Sequence, residues 1–313
     1  MNKIAVIHIG WLTILSGSLF AQQDPYFSQY MNNPFIINPG YAGINDVVCL
    51  NATARQQWVG IKGAPNTTIF DGNAPVKPFG INSGVGVSVV SDNIGFNKNL
   101  GFNLAYSYKI DLKKGKLGLG INAGFFNDAL KADKWITPQT TSSSEDNSIP
   151  GVSESAFGID MGLGAYYKND ELYFGLSIAH LLQPKVKYQN TSTYLNRNYN
   201  MLAGYRFVLP NPLIEIRPST YLTSDGKVVS LTLNTNVVYN KKFWGGVSYR
   251  TGDAIIAMLG IELFNGLKVG YSYDYTTTGL QHYNSGTHEI TLAYCFNLKV
   301  EKTPQKYKSV RFL

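Results

Sequence analysis

The residues of this 313-residue chain best suited to chemistry are few, and they do not converge. Its four histidines are His8, His180, His282 and His288. None stands at metal-ligand spacing from another, although Asp274 and Glu289 lie near the last two. A hydrolase on a membrane barrel would need a serine and a histidine projecting together, and the sequence offers no convincing pair. Three Gly-x-Gly steps (Gly84/Gly86, Gly118/Gly120, Gly162/Gly164) superficially resemble nucleotide loops. They fall inside alternating stretches with no helix behind them, so the phosphate-cradling geometry is missing. No catalytic residue, cofactor site or metal site is expected, and the chain reads as a non-enzyme.

The elements around these residues explain the glycines better. From Val47 onward, stretches of about ten residues alternate apolar with small or polar side chains. Leu117, Leu119, Ile121, Ala123 and Phe125 alternate with Gly118, Gly120, Asn122 and Gly124. Ile290, Leu292, Tyr294, Phe296 and Leu298 alternate with Thr291, Ala293, Cys295 and Asn297. Period two over such lengths means strands with one apolar face. We count fourteen: 47–58, 65–75, 81–91, 100–110, 116–126, 155–167, 171–180, 198–209, 213–222, 228–240, 243–250, 254–263, 267–276 and 287–298. The links fall into two sets. One is short (76–80, 111–115, 168–170, 210–212, 241–242, 264–266). The other holds every long segment (92–99, 127–154, 181–197, 277–286). Short turns on one side and long loops on the other are the plan of an outer-membrane β-barrel. A soluble β-sandwich also alternates, but it could neither leave so large an apolar face uncovered nor bury so polar a one. The all-β barrel therefore has an apolar face toward outer-membrane lipid and a polar face toward a lumen. Its inward glycines leave room for something inside. Arg55, Arg206, Glu215, Arg217 and Glu262 are expected on the inward face, as ion pairs that stiffen the wall or hold a plug. Tyr106, Tyr108, Tyr166, Tyr167, Tyr205, Phe207, Tyr239, Phe243, Tyr294 and Phe296 are expected to form an aromatic girdle near the short turns.

The ends of the chain carry their own signals. Residues 1–21 combine one lysine, an apolar run from Ile4 to Leu15 and small residues ending at Ala21. That is a secretory signal peptide, with Gln22 as the expected mature start. An even strand count then places both termini in the periplasm. Charged residues make up only 15% of the chain and the formal net charge is +7. The tail 299–313 carries Lys299, Lys302, Lys306, Lys308 and Arg311 against Glu301, which is +4 of that excess. The bases are otherwise scattered, which argues against nucleic acid, and the tail is a candidate periplasmic contact. The two cysteines, Cys49 and Cys295, lie near the start of the first strand and the end of the last. Closing the barrel makes those strands neighbours and puts both cysteines on the inward parity, so a disulfide across the closure seam is expected.

Between the signal and the first strand lies QQDPYFSQYMNNPFIINPGYAG, residues 22–43. It is too proline-rich for a long helix and too irregular for a strand. It is also too aromatic for a casual linker. The stretch resembles the start of the PorP/SprF family of Bacteroidota outer-membrane proteins, approximately QDPxxSQYMxNPxxxNPAYAG. Gln23, Asp24, Pro25, Ser28, Gln29, Tyr30, Met31, Asn33, Pro34, Asn38, Pro39, Tyr41, Ala42 and Gly43 fit that pattern, with Gly40 in place of alanine. RQQW at 55–58 also looks like the family's first strand.

The resemblance implies a component of the type IX secretion system. Its implied partners are a secreted protein with a C-terminal sorting domain, such as a large adhesin, and periplasmic secretion or gliding components. From the barrel pattern, residues 22–46 are expected as an ordered plug or brace between signal and barrel (47–298), on the turn side of the lumen. Asp24, Pro25, Phe27, Ser28, Gln29, Tyr30, Asn33, Pro34, Asn38, Pro39, Tyr41 and Gly43 would form its contact surface. The long loops would meet the client. The competing expectation is a plugged transport barrel, like the fourteen-stranded fatty-acid channels, for a small hydrophobic or amphipathic solute.

Overall fold

A computed structural model of the chain describes residues 24–131, 153–187, 192–263 and 266–297. The expected signal peptide, the basic tail and most of the loop 127–154 lie outside them. The strands are β1 (Val48–Gln56), β2 (Asn66–Val76), β3 (Ser83–Ile94), β4 (Asn97–Leu112), β5 (Gly115–Leu130), β6 (Glu154–Lys168) and β7 (Leu172–Ala179). A small hairpin, β8 (Lys185–Lys187) with β9 (Ser192–Tyr194), sits in the next loop. Then follow β10 (Asn198–Tyr205), β11 (Phe207–Val208), β12 (Ile214–Ser224), β13 (Val229–Tyr239), β14 (Phe243–Arg250), β15 (Ala254–Leu263), β16 (Leu267–Thr276) and β17 (Thr287–Phe296). Each long strand pairs antiparallel with its sequence neighbour, and β1 pairs with β17, so fourteen strands close into a barrel. β11 continues β10 past Arg206 along the edge of β12.

Closure follows from the pattern of side chains. Leu104, Leu233, Leu259 and Ile290 point outward and are at least half exposed, while Ser107, Asn234, Ser272 and Glu289 on the other face are buried. An outer face this apolar is stable only against lipid. A closed wall removes the sheet edges that lipid could not satisfy. Eight strands enclose a space that side chains can fill, whereas fourteen leave a true interior.

All fourteen expected barrel strands are present, and three details differ. Residues 92–99 are not a long loop: β3 runs to Ile94 and β4 starts at Asn97, with Gly95 at φ 58° in the tight turn between them. The hairpin of β5 and β6 likewise extends into 127–154, with antiparallel pairing carried out to Leu130 opposite Glu154. Tyr166 belongs to no outer girdle: it has inward parity on β6 and is 2% exposed. Tyr106, Tyr108, Phe207, Tyr239, Phe243 and Tyr294 do face outward and are exposed.

At the seam, Cys49 stands directly opposite Cys295 and the two are joined by a disulfide. The bond ties residues 246 apart in sequence, so it closes almost the whole barrel covalently. Alkylation of the denatured, unreduced protein should find no free thiol, and reduction should expose two. Replacing both cysteines with serine should lower unfolding stability by about 2–4 kcal/mol, the usual range for a native disulfide, in urea titrations in lipid vesicles.

Candidate functional site

The interior is occupied by the chain's own beginning. Asp24 hydrogen-bonds His180 (2.9 Å) and Asn198 (2.7 Å), which stand at the end of the barrel bearing the long loops. Asp46 pairs with Lys109 (2.9 Å) and Lys116 at the opposite, turn-bearing end. Residues 24–46 therefore pass along the lumen. The segment starts at the loop end, not on the turn side where the sequence pattern puts it. The reason is the polar partners at the loop end, which no local pattern exposes.

The deepest anchor is a set of four buried charges. Arg55 reaches Asp274 (2.9 Å) and Glu289 (3.0 Å), and Arg250 reaches Asp274 at 3.3 Å and Asp253 at 2.8 Å. Arg55, Arg250, Asp274 and Glu289 are each no more than 2% exposed. Two positive and two negative groups balance, which burial demands. The segment completes the set. The backbone N–H groups of Ser28 and Gln29 donate to the two oxygens of Glu289, each at 2.9 Å. The Ser28 hydroxyl donates to Asp274 (2.7 Å) and accepts from Arg55 (2.9 Å) and Arg250 (3.2 Å). Tyr26 lies against the Arg250 guanidinium, 5.7 Å from its ring centre.

Beyond this anchor, the prolines set two single turns of 3-10 helix, Pro34–Ile36 and Pro39–Tyr41, each with proline in its first positions. Proline forbids a long helix but favours such an opening turn, because its fixed φ is already helical. Asn38 is extended (φ −140°, ψ 111°) and caps the second turn by accepting from Gly40 N–H. Its amide donates to the carbonyls of Ala165 and Leu176, both at 2.9 Å. The Tyr30 ring packs at a tilt against Tyr221 and its hydroxyl meets Ser219 (2.9 Å). Asn33 donates to Asp71 (2.6 Å), and Tyr41 packs edge-on against Tyr166. Pro34 and Pro39 are buried, and Pro25 and Phe27 are half-buried.

The inward glycines receive this backbone. A Cβ at Gly84 would stand 1.9 Å from the Ala42 carbonyl oxygen, and one at Gly118 would stand 2.0 Å from that of Gly40. At Gly120 it would meet the Pro39 backbone at 2.3 Å. The wall is thus shaped to the backbone of residues 39–43. Gly43 itself has φ 65°, which lets the chain turn toward β1, and its carbonyl accepts from Lys109 Nζ (3.0 Å).

The structure brings together every described motif residue that the sequence singles out. Of the five inward charges expected, only Arg55 joins the anchor. Glu215, Arg206, Arg217 and Glu262 line the turn-end mouth instead. Sequence reasoning missed Arg250, Asp274, Glu289 and His180 as partners of the segment. Inward parity marks Asp274 and Glu289, but nothing local says which charges meet across the lumen. The tail residues Lys299, Lys302, Lys306, Lys308 and Arg311 lie outside the described residues.

A family model described as type IX secretion system membrane protein PorP/SprF matches residues 19–294. A search of curated proteins gives no match. Among solved structures, a mutant of the monoaromatic hydrocarbon channel TodX is 10% identical at TM-score 0.50, covering 85% of this chain and 94% of its own. The Ralstonia pickettii toluene transporter TbuX is 10% identical at TM-score 0.49, covering 84% and 93%. The TodX likeness establishes a common barrel fold and no more.

Two outcomes follow. Gly84→Val would force a side chain into the Ala42 carbonyl, and overpacking of this kind costs roughly 1–3 kcal/mol. Limited proteolysis should then cut within 24–46 about 5- to 150-fold faster, with the barrel still folded on gels. His180 sits between Asp24 and Asp160 (2.9 and 2.8 Å). Burial disfavours its charge, but the two carboxylates outweigh burial and push its pKa up from 6.5 to about 11. Its hold on Asp24 is therefore complete below the ordinary value and lost only as pH rises toward 11. An NMR titration of the His180 ring should show imidazolium at about pH 8, and a midpoint at the ordinary histidine value would contradict the pairing.

Proposed function

The chain belongs to the type IX secretion system membrane protein PorP/SprF family, and from that premise we propose that it is a non-enzymatic outer-membrane component that holds a secreted client. The client is a large surface protein such as an adhesin, recognised through its C-terminal sorting domain. The barrel supports its export, its retention at the surface, or gliding motility built on it. The observation that carries this reading is the family match over most of the chain. The lumenal course of residues 24–46 supports it, because an interior threaded by the protein's own chain suits a rigid docking platform better than a solute path. In this reading the segment is a plug, the turn end and the C-terminal tail belong to the periplasmic side, and the long loops face outward. The mature N-terminal residues then begin beside those loops. The basic tail meets a periplasmic secretion or gliding component.

The second reading, a gated channel for a small hydrophobic or amphipathic solute, draws on the barrel shared with a hydrocarbon channel. Two experiments separate them. A tagged copy isolated from a secreting strain should recover a large secreted protein with a sorting domain, and recovery of none would defeat the first reading. In planar bilayers a chain that is closed when intact and conducts without residues 22–43 fits the plug in both readings. Solute uptake by the intact chain would favour the channel.

A further inference from the structure

The segment does not fill the turn end. A cavity of about 530 Å³ remains there, between Met31, Asn33 and Tyr41 of the segment and the wall from β6 round to β1. Its lining carries five bases, Lys168, Arg206, Arg217, Lys241 and Lys268, against three acids, Glu171, Glu215 and Glu262. The pairing within it is incomplete. Arg206 and Arg217 share one carboxylate, that of Glu215, at 3.9 and 2.5 Å. One carboxylate cannot neutralise two guanidiniums. The Arg206 Nε is buried with no hydrogen-bond partner among the described residues. Lys268 reaches Glu262 only at 3.5 Å. Tyr173, Tyr205 and Trp244 add aromatic surface between the bases.

The charge of this end extends past the cavity. Its turns and strand ends hold Lys77, Lys113, Lys114 and Lys242 against Asp111 and Asp170.

We propose that the turn-end cavity is a docking site for an acidic peptide segment of a soluble partner, whose carboxylates are taken by Arg206, Arg217, Lys241 and Lys268. The four bases come from separate stretches of the wall, Arg206 after β10, Arg217 on β12, Lys241 before β14 and Lys268 on β16, and a single small inorganic anion offers too few oxygens to match all four. An extended chain with carboxylates at intervals would match them, and its apolar atoms would lie on the three aromatic rings. Guanidinium forks suit carboxylates in particular. Lipid is excluded because the lining faces the lumen. The chain's own tail is excluded because it carries the same sign of charge. Lys168 is already engaged, donating to Asn45 at 2.6 Å. This inference goes beyond client holding at the loops and rests on that reading only for the compartment the turn end faces.

The test uses the full mature chain in lipid nanodiscs and a fluorescein-labelled hexaglutamate peptide, with hexaglutamine as control. Anisotropy should show hexaglutamate binding that weakens with salt, and no hexaglutamine binding. The triple variant Arg206→Gln, Arg217→Gln, Lys268→Gln should bind about tenfold or more weakly while keeping its heat-modifiable gel mobility. Glu215→Gln removes the competing carboxylate and should bind severalfold more tightly, an effect that a merely damaged fold would not give. Deleting 299–313 should leave most of the affinity. Equal affinity in the triple variant, or loss of all binding with the tail deleted and the cavity intact, would overturn the proposal. Client recovery from cells reads the loop end, so it stands or falls separately.

Discussion

Two arginines and two carboxylates lie buried inside a membrane barrel, and the rest of the interior is organised around making that tolerable. Arg55, Arg250, Asp274 and Glu289 come from four different strands, β1, β14, β16 and β17. Their charges cancel, but their lone pairs and N–H groups still need partners, and an unpaired member would cost several kcal/mol. Ser28 and Gln29 supply them with two backbone donors and one hydroxyl. The wall and the segment are thus mutually required. The strands hold the charges in place, and the segment supplies hydrogen bonds they lack, leaving only the Arg55 Nε of the four side chains without a partner among the described residues.

The glycine-rich wall is the steric counterpart of that electrostatic demand. The anchor fixes the segment near the loop end, and the chain must still reach Val48 at the turn end to begin β1. The route runs along β3 to β6, where Gly84, Gly118, Gly120 and Gly164 leave space that any other side chain would fill. The prolines bend the chain in short turns along this path, and Asn38 satisfies strand carbonyls on the way. At the turn end the segment leaves part of the lumen unfilled, larger residues such as Trp244 and Tyr173 line the wall, and the basic cavity remains.

The sequence discloses the wall more completely than the contents. Period-two alternation is a local signal, so the barrel strands and the closure that pairs Cys49 with Cys295 can be read from it. The turn at Gly95 is not marked by the alternation, because Ile94 and Phe96 carry the period-two pattern straight through it. Parity marks Tyr166 as inward although it stands near a short turn, where girdle aromatics gather, and its edge-on contact with Tyr41 gives an aromatic ring a place inside. The opening motif stands out by its prolines, amides and aromatic rings, and the inward glycines mark spare room beside it. The direction of the segment was not legible. It depends on His180, Asn198, Asp274 and Glu289, which lie more than 150 residues away in sequence.

The central claim is that Ser28 and Gln29 are held by Glu289 inside the lumen. Hydrogen exchange read by mass spectrometry on the intact protein in nanodiscs tests it most directly, because both amides are donors in that contact. Peptides spanning 24–33 should exchange as slowly as those from β1 and β17, and Glu289→Gln should speed them while the strands stay protected. Exchange of 24–33 at the rate of a free chain in the unmodified protein would contradict the account.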